Sequence, residues 1–327
     1  MRPSQRRSMA SVRISVEPER EVYAPGEEVL ATFEYEGLSR VVEVEYGYAC
    51  VERSLLAVGS HGGTVSDGAS VVLVEDARRV RTDASAFSDT VRVALPEGLP
   101  SYEVDEPSVE YSRRHELFMR VRRRLAPDYE ASRVLLVAEP QPAPRGRAVR
   151  AELRLGPTAL ELYCDSDVAA PGGELAVGLR NLGDERVRVR AYLRTYAWVF
   201  GEAVAGKATL TKVLLLDSVL EPRALTMTVA RVRVPERTPP DLTAKLARVW
   251  TVVEVVRVLG PLALREERLG EVRVTVPYTG AYVDWLRELA RGRRPPTARI
   301  CPSCMRDVPE YADRCPHCGF ELAARSR

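Results

Sequence analysis

The octapeptide VYAPGEEV, Val22–Val29, returns later in the chain as VAAPGGEL, Val168–Leu175. Both follow the pattern V-x-A-P-G-x-E and end on an aliphatic residue. In each, Pro-Gly makes a turn and an alternating strand follows. Further matches come in the same order: Gly37 with Gly183, VVEVEYGYACV (Val41–Val51) with VRVRAYLRTYAWV (Val187–Val199), and LPEGLP (Leu95–Pro100) with VPERTP (Val234–Pro239). Tyr111 and Trp250 then each open a strand. Keeping the buried faces of the two long strands in phase requires one residue of difference in the loops before them, because a one-residue slip exchanges the faces of a strand. Several matches in one order predict a tandem duplication.

Working outward, strand signals dominate. VRISVEP near the start, ARVRVP before Glu236 and VRVTVP before Tyr278 alternate at period two and are bounded by turn residues. Such alternation predicts antiparallel sheets with one face buried and one wet. Two proline-marked stretches, EPQPAPRGR (Glu139–Arg147) and RGRRPPTAR (Arg291–Arg299), predict linkers. Just before the second, GAYVDWLRELARG places Tyr282, Trp285, Leu286 and Leu289 on one helical face. The expected organisation is a tail over 1–11, a β-sandwich over 12–138, a linker over 139–147 and a second sandwich over 148–278. A helix and basic linker over 279–298 and a cysteine-rich module over 299–323 complete it.

Each half resembles an arrestin-fold domain. The resemblance rests on APGEEV or APGGEL, the long strand after it, and a closing segment of proline-marked turn, loop and strand, and it covers roughly residues 12 to 278. Two generic immunoglobulin-like sandwiches share the architecture but not this turn pattern. The resemblance implies an all-β protein of two tandem arrestin-like antiparallel sandwiches. It also implies a scaffold or adaptor, since arrestins, the arrestin-like retromer subunit and the bacterial sporulation-control proteins of this fold bind partners. No phosphate-sensing motif of arrestins can be placed on this sequence.

Four of the six cysteines lie in CPSCMRDVPEYADRCPHCGF, as Cys301, Cys304, Cys315 and Cys318. Two residues between thiolates let one tight turn aim both sulfurs at a single ion, and two such knuckles complete a tetrahedral S₄ site suited to Zn²⁺. Iron in a rubredoxin-like site has the same spacing, and a lone C-x-x-C serves redox chemistry. With both pairs present and all four positions filled, structural zinc is the reading adopted. The box resembles the short zinc ribbons appended to archaeal and bacterial proteins, although Met305 stands where those often have glycine. His317, between two thiolates, is a poor ligand. A module this small has almost no core, so metal binding would be its main source of stability.

Composition narrows the functional classes. The 327 residues carry a net charge of +2, so no global field steers the chain toward nucleic acid or anionic lipid. Lys207, Lys212 and Lys245 are the only three lysines, and arginine supplies the remaining cations. No run reaches the ~20 apolar residues of a membrane span, and the basic N-terminus lacks the apolar core of a secretory signal. Metal-type cysteine spacing with Cys50 and Cys164 far apart fits a reducing compartment, hence a cytoplasmic protein.

Catalytic motifs are missing or fail on context. GEAVAGKA (Gly201–Ala208) satisfies G-x-x-x-x-G-K, and VLLLD ends on Asp217 like a magnesium-binding strand. Ala208 has no hydroxyl for Mg²⁺ and TLT replaces the helix a phosphate loop needs, so a hairpin turn is expected. His61, His115 and His317 pair with no nucleophile in the sequence. In RVRVRAYLRTYAW, Arg188, Arg190, Tyr192, Arg194 and Tyr196 fall on the face opposite the core, with Arg186 in line. Cations interleaved with aromatics suit an acidic or phosphorylated partner or single-stranded nucleic acid. The same arginine excess runs throughout the chain, so a solvated face is the simpler reading. The expectation is a non-enzymatic cytoplasmic adaptor binding protein partners, without a transmembrane segment and with peripheral membrane contact left open. The alternative is a nucleic-acid-associated zinc-ribbon protein using RGRRPPTAR on phosphates.

Overall fold

The computed structural model describes residues 11–60, 63–106, 108–260, 265–291, 298–300 and 307–309. Among them the protein is all-β with several antiparallel sheets and one short helix. It divides into two compact units, one holding the chain to Glu139 with Phe200–Val204, the other Pro140–Val199 and the chain from Ala205.

The first unit holds β1 (Ser11–Glu17), β2 (Glu28–Glu36), β3 (Val41–Ser60), β4 (Gly63–Val80), β5 (Ala86–Ala94), β6 (Tyr102–Glu106), β7 (Val109–Arg123) and β8 (Tyr129–Leu135). One sheet has the order β1-β2-β5. The other has β4-β3-β7-β6, with β8 also on β7. Alternating residues of both sheets meet in one core, with Val16, Ala31 and Phe33 facing Tyr46, Leu117 and Met119. Fully burying a side chain the size of Val16, Phe33, Leu117 or Met119 stabilises by about 1.5–3 kcal/mol. The Phe33 and Tyr46 rings pack at 5.1 Å across the layers.

The second unit adds β9 (Val149–Leu155) and then β10 (Thr158–Cys164), β11 (Glu174–Asn181), β12 (Val187–Phe200), β13 (Ala205–Leu220), β14 (Thr228–Arg233), β15 (Leu242–Thr243), β16 (Ala247–Leu259) and β17 (Arg265–Val274). One sheet has the order β14-β11-β10-β9, the other β13-β12-β16-β15 with β17 on β16. Strands β10 to β17 thus repeat the order of β1 to β8, and β9 is the addition. Leu160, Leu162 and Leu179 face Val189, Leu193 and Val253 in its core.

The repeated turns match in hydrogen bonding. Glu27 N–H donates to Ala24 O across Pro25-Gly26, and Gly173 N–H to Ala170 O across Pro171-Gly172. Gly26 and Gly172 have φ of 80° and 77°, the second corner of a type II turn, which glycine adopts without steric cost. Leu95 N–H donates to Glu27 O and Val234 N–H to Gly173 O, so the LPEGLP and VPERTP segments leave their sheets in the same way.

Two expectations from the sequence change in detail. The loops from Gly37 to Val41 and from Gly183 to Val187 have equal length. The phase correction is a bulge instead: the β3–β7 register shifts between Val41 and Glu43, and Val42 is the additional, exposed residue. Tyr111 and Trp250 are also not equivalent. Tyr111 pairs with Ser54 on the core-facing side of its sheet, whereas Trp250 pairs with Tyr196 on the opposite face of its own. Equal spacing from a turn does not fix strand register, which the partner strand sets.

After the second unit's last strand comes α1 (Gly280–Ala290), buried through Tyr282, Val283 and Leu286. Tyr278, Tyr282 and Trp285 form a run of ring contacts, each 5.3 Å between centroids. Val283 joins the apolar side expected from the sequence, while Leu289 is only half-buried. Two short strands, β18 (Ala298–Ile300) and β19 (Asp307–Pro309), pair antiparallel with Ile300 opposite Asp307.

Candidate functional site

The long strand β12 lies between β13 and β16, so both its edges are paired. Its inward residues, Val187, Val189, Ala191 and Leu193, join the core. Arg188, Arg190, Tyr192, Arg194 and Tyr196 therefore share the other face. The structure brings these five together and surrounds them with acids from neighbouring strands. Asp217, on β13, accepts from Arg188 Nε at 3.2 Å and from Arg190 Nε at 3.0 Å. Glu266, on β17, accepts from Arg190 Nη1 at 3.0 Å and from the Tyr192 hydroxyl at 2.6 Å. Glu254, on β16 and only 4% exposed, lies 2.8 Å from Arg194 Nε and accepts from the Tyr196 hydroxyl at 3.4 Å. Arg186 pairs with Glu221.

The rings on this face are covered by lysines. Tyr192 and Tyr196 are 2% and 7% exposed. Lys212 Nζ stands 4.4 Å from the Tyr192 centroid, and Lys207 Nζ 4.0 Å from Tyr196 and 5.5 Å from Trp250. A cation over an aromatic face is attracted by the ring quadrupole. Trp198, 43% exposed, is the ring that this face offers most openly to solvent.

Titration follows from this net. Burial alone would raise the Asp217 carboxyl, but the hydrogen bonds from Arg188 and Arg190 outweigh it and hold it below the usual range. Glu266 behaves alike: burial raises it, and Tyr192, Arg190 and Lys212 together bring it down. The Tyr192 hydroxyl is pushed up to about 12 by burial and by its bond to Glu266. Burial, then Arg194, lowers Lys212. Chemically, the face is an ion-pair lattice. An incoming anion competes with Asp217, Glu254 and Glu266 for the guanidinium groups of Arg188, Arg190 and Arg194, so binding here is an exchange of partners.

Sequence reading missed the acids because each sits on a different strand. Asp217 ended the VLLLD stretch and Glu254 interrupted VWTVVEVVRVL, two local irregularities that carried the signal. The GEAVAGKA stretch forms the hairpin between β12 and β13, with Gly201 N–H donating to Val204 O, and Lys207 stands on a strand.

In the first unit a cysteine and a histidine meet. Tyr48 donates to His115 Nδ1 at 2.7 Å, which makes Nε2 the protonated nitrogen, donating to Leu99 O at 2.7 Å. Cys50 Sγ lies 4.0 Å from the same Nε2. Burial pushes the Cys50 thiol up to about 11 and lowers His115 to about 4. A protonated thiol beside an imidazole already committed to two partners is the reverse of an activated nucleophile. Register places Thr195 and Thr251 at this level of the second unit, their hydroxyls 2.9 Å apart. Cys164 is a buried free thiol of that unit.

The four ligand candidates Cys301, Cys304, Cys315 and Cys318 lie outside the described residues. Among the described residues no group of three or more His, Cys, Asp or Glu side chains is arranged to hold a metal. No described helix is long and apolar enough to cross a membrane. Compared with known protein families, the chain matches no family model, and it matches none of the curated proteins.

Proposed function

We propose that this protein is a cytoplasmic, non-enzymatic adaptor built from two tandem arrestin-like sandwiches with a C-terminal zinc ribbon. The observation that carries the reading is the strand order. β1 to β8 and β10 to β17 follow one order through two sheets each, with matching Pro-Gly turns and a parallel bridge just before each turn, Tyr23 to Val137 and Val168 to Thr275. A duplicated two-sheet module with its polar groups held in ion pairs offers edges and faces for docking rather than a reaction centre. For the ribbon, support comes from the antiparallel pairing of β18 and β19, which flank Cys301 and Cys304 in sequence as the strands beside a zinc knuckle would. Zinc would be held by the four thiolates of Cys301, Cys304, Cys315 and Cys318 and would supply folding stability to the module.

The test is a nuclease-treated native pull-down of the full chain beside a Cys301→Ser/Cys304→Ser variant, with partners identified by mass spectrometry and titrated at rising salt. A defined protein partner that survives nuclease and binds with shallow salt dependence is expected. A partner set that vanishes with nuclease and falls steeply with salt would replace the adaptor by the nucleic-acid-associated reading.

A further inference from the structure

The loops at one end of the first unit hold two residues in a conformation that their side chains resist. Arg40, between β2 and β3, has φ of 62°, and Leu125, in the β7–β8 hairpin, has φ of 56°. Positive φ is a glycine or asparagine conformation, because elsewhere Cβ crowds the backbone. The two loops are tied together. Arg124 N–H donates to Arg40 O at 2.8 Å, and Arg123 Nε donates to Ser39 O at 2.9 Å. Asp128 accepts from Arg123 N–H at 2.9 Å, which fixes the hairpin from its far side.

The corner is therefore built, and it presents a side chain that neither turn chemistry nor packing explains. Leu125 is 88% exposed at the hairpin tip. Glycine would make the turn without strain, and a core would reward a leucine; this position has the strain without the burial. Around it stand Arg40 and Arg124, both exposed and without a carboxylate partner among the described residues. Arg122 is paired with Glu43 at 3.2 Å, and Arg123 lies over the Tyr129 ring at 5.3 Å. Val42, the bulge residue at the start of β3, adds a second exposed aliphatic beside the same loop.

We infer that this corner docks on an anionic lipid bilayer, Leu125 entering the interface while Arg40 and Arg124 meet the headgroup charge. A protruding aliphatic flanked by cations fits a fluid surface, where apolar insertion and electrostatic attraction add. It does not fit single-stranded nucleic acid, which needs open aromatic faces; the Tyr129 ring is capped by Arg123. The inference goes beyond the adaptor reading by locating the adaptor at a membrane surface, and it stands whatever the ribbon binds.

The experiment is co-sedimentation of the full-length protein with vesicles of phosphatidylcholine alone and with vesicles in which phosphatidylserine replaces a third of it. Binding to the second and not the first is expected. Arg40→Gln and Arg124→Gln should each weaken it about fivefold. Leu125→Asn is the decisive variant, since asparagine tolerates the left-handed turn: it should keep or raise thermal stability while binding falls at least several-fold. Absence of wild-type binding to the anionic vesicles overturns the inference. So does binding that all three variants retain, and so does competition by an RNA oligonucleotide that these same residues control.

Discussion

The imidazole of His115 donates to a backbone carbonyl and accepts from a phenol with no exposure to water, which makes it an acid-sensitive group of the first unit. An unfolded histidine titrates near 6.5, whereas burial holds this one at about 4. The unfolded chain therefore takes up the proton first, so this contribution is complete above pH ~6.5 and is lost as pH falls toward 4. Its loss should amount to at most about 3–4 kcal/mol. Denaturant midpoints measured between these two values should fall for the wild type and flatten for His115→Gln. At the same scale, Gly172 holds φ of 77° in the repeated turn. Gly172→Ala should cost about 1–2 kcal/mol, read as a lower urea midpoint at unchanged slope. That glycine was legible beforehand, because Pro-Gly names its own turn. The histidine was not: nothing near His115 in the chain indicates that Tyr48 and Leu99 receive its two nitrogens.

Among the elements, β12 and β16 show how a strand face acquires its properties from its neighbours. Alternation along RVRVRAYLRTYAW assigns the arginines and tyrosines to one side, and they lie there. Whether that side is basic depends on Asp217, Glu254 and Glu266, each from another strand. Glu254→Gln removes the carboxylate between Arg194 and Arg268 and should destabilise by about 2–3 kcal/mol in urea unfolding, since it leaves a part-buried guanidinium uncompensated. Asp217→Asn has a different signature. With Arg188 and Arg190 released from their shared acid, the variant should elute from a phosphate-bearing resin at distinctly higher salt than the wild type, and equal elution would show that the lattice does not mask the face. The bulge at Val42 belongs to this scale too. The need for one additional residue follows from the pattern of buried side chains, but its placement inside β3 rather than in the loop is settled by pairing with β7.

For the whole molecule, the proposed ribbon and the two β-units draw their stability from different sources. The units bury apolar side chains between sheets, while a four-cysteine module would rely on its metal. Purified protein should carry about one equivalent of zinc, lost on Cys315→Ser or with a strong chelator. The far-UV β signal and the main thermal transition should remain unchanged in both cases. A main transition that shifts by many degrees on metal removal would mean that zinc supports the β-units as well. What could be known from the chain alone is whatever is written locally: period-two alternation, Pro-Gly turns, an ordered repeat, paired cysteines. Each is read from stretches of neighbouring residues, the repeat by comparing two such stretches, so they hold before any strand has a partner. Register, the Val42 bulge, the neutral His115 and the acid caps on Arg188, Arg190 and Arg194 join residues tens of positions apart. They exist only once β-strands pair and sheets stack, because hydrogen bonds and contact ion pairs need atoms within about 3–4 Å and no local pattern encodes which distant atoms will come that close.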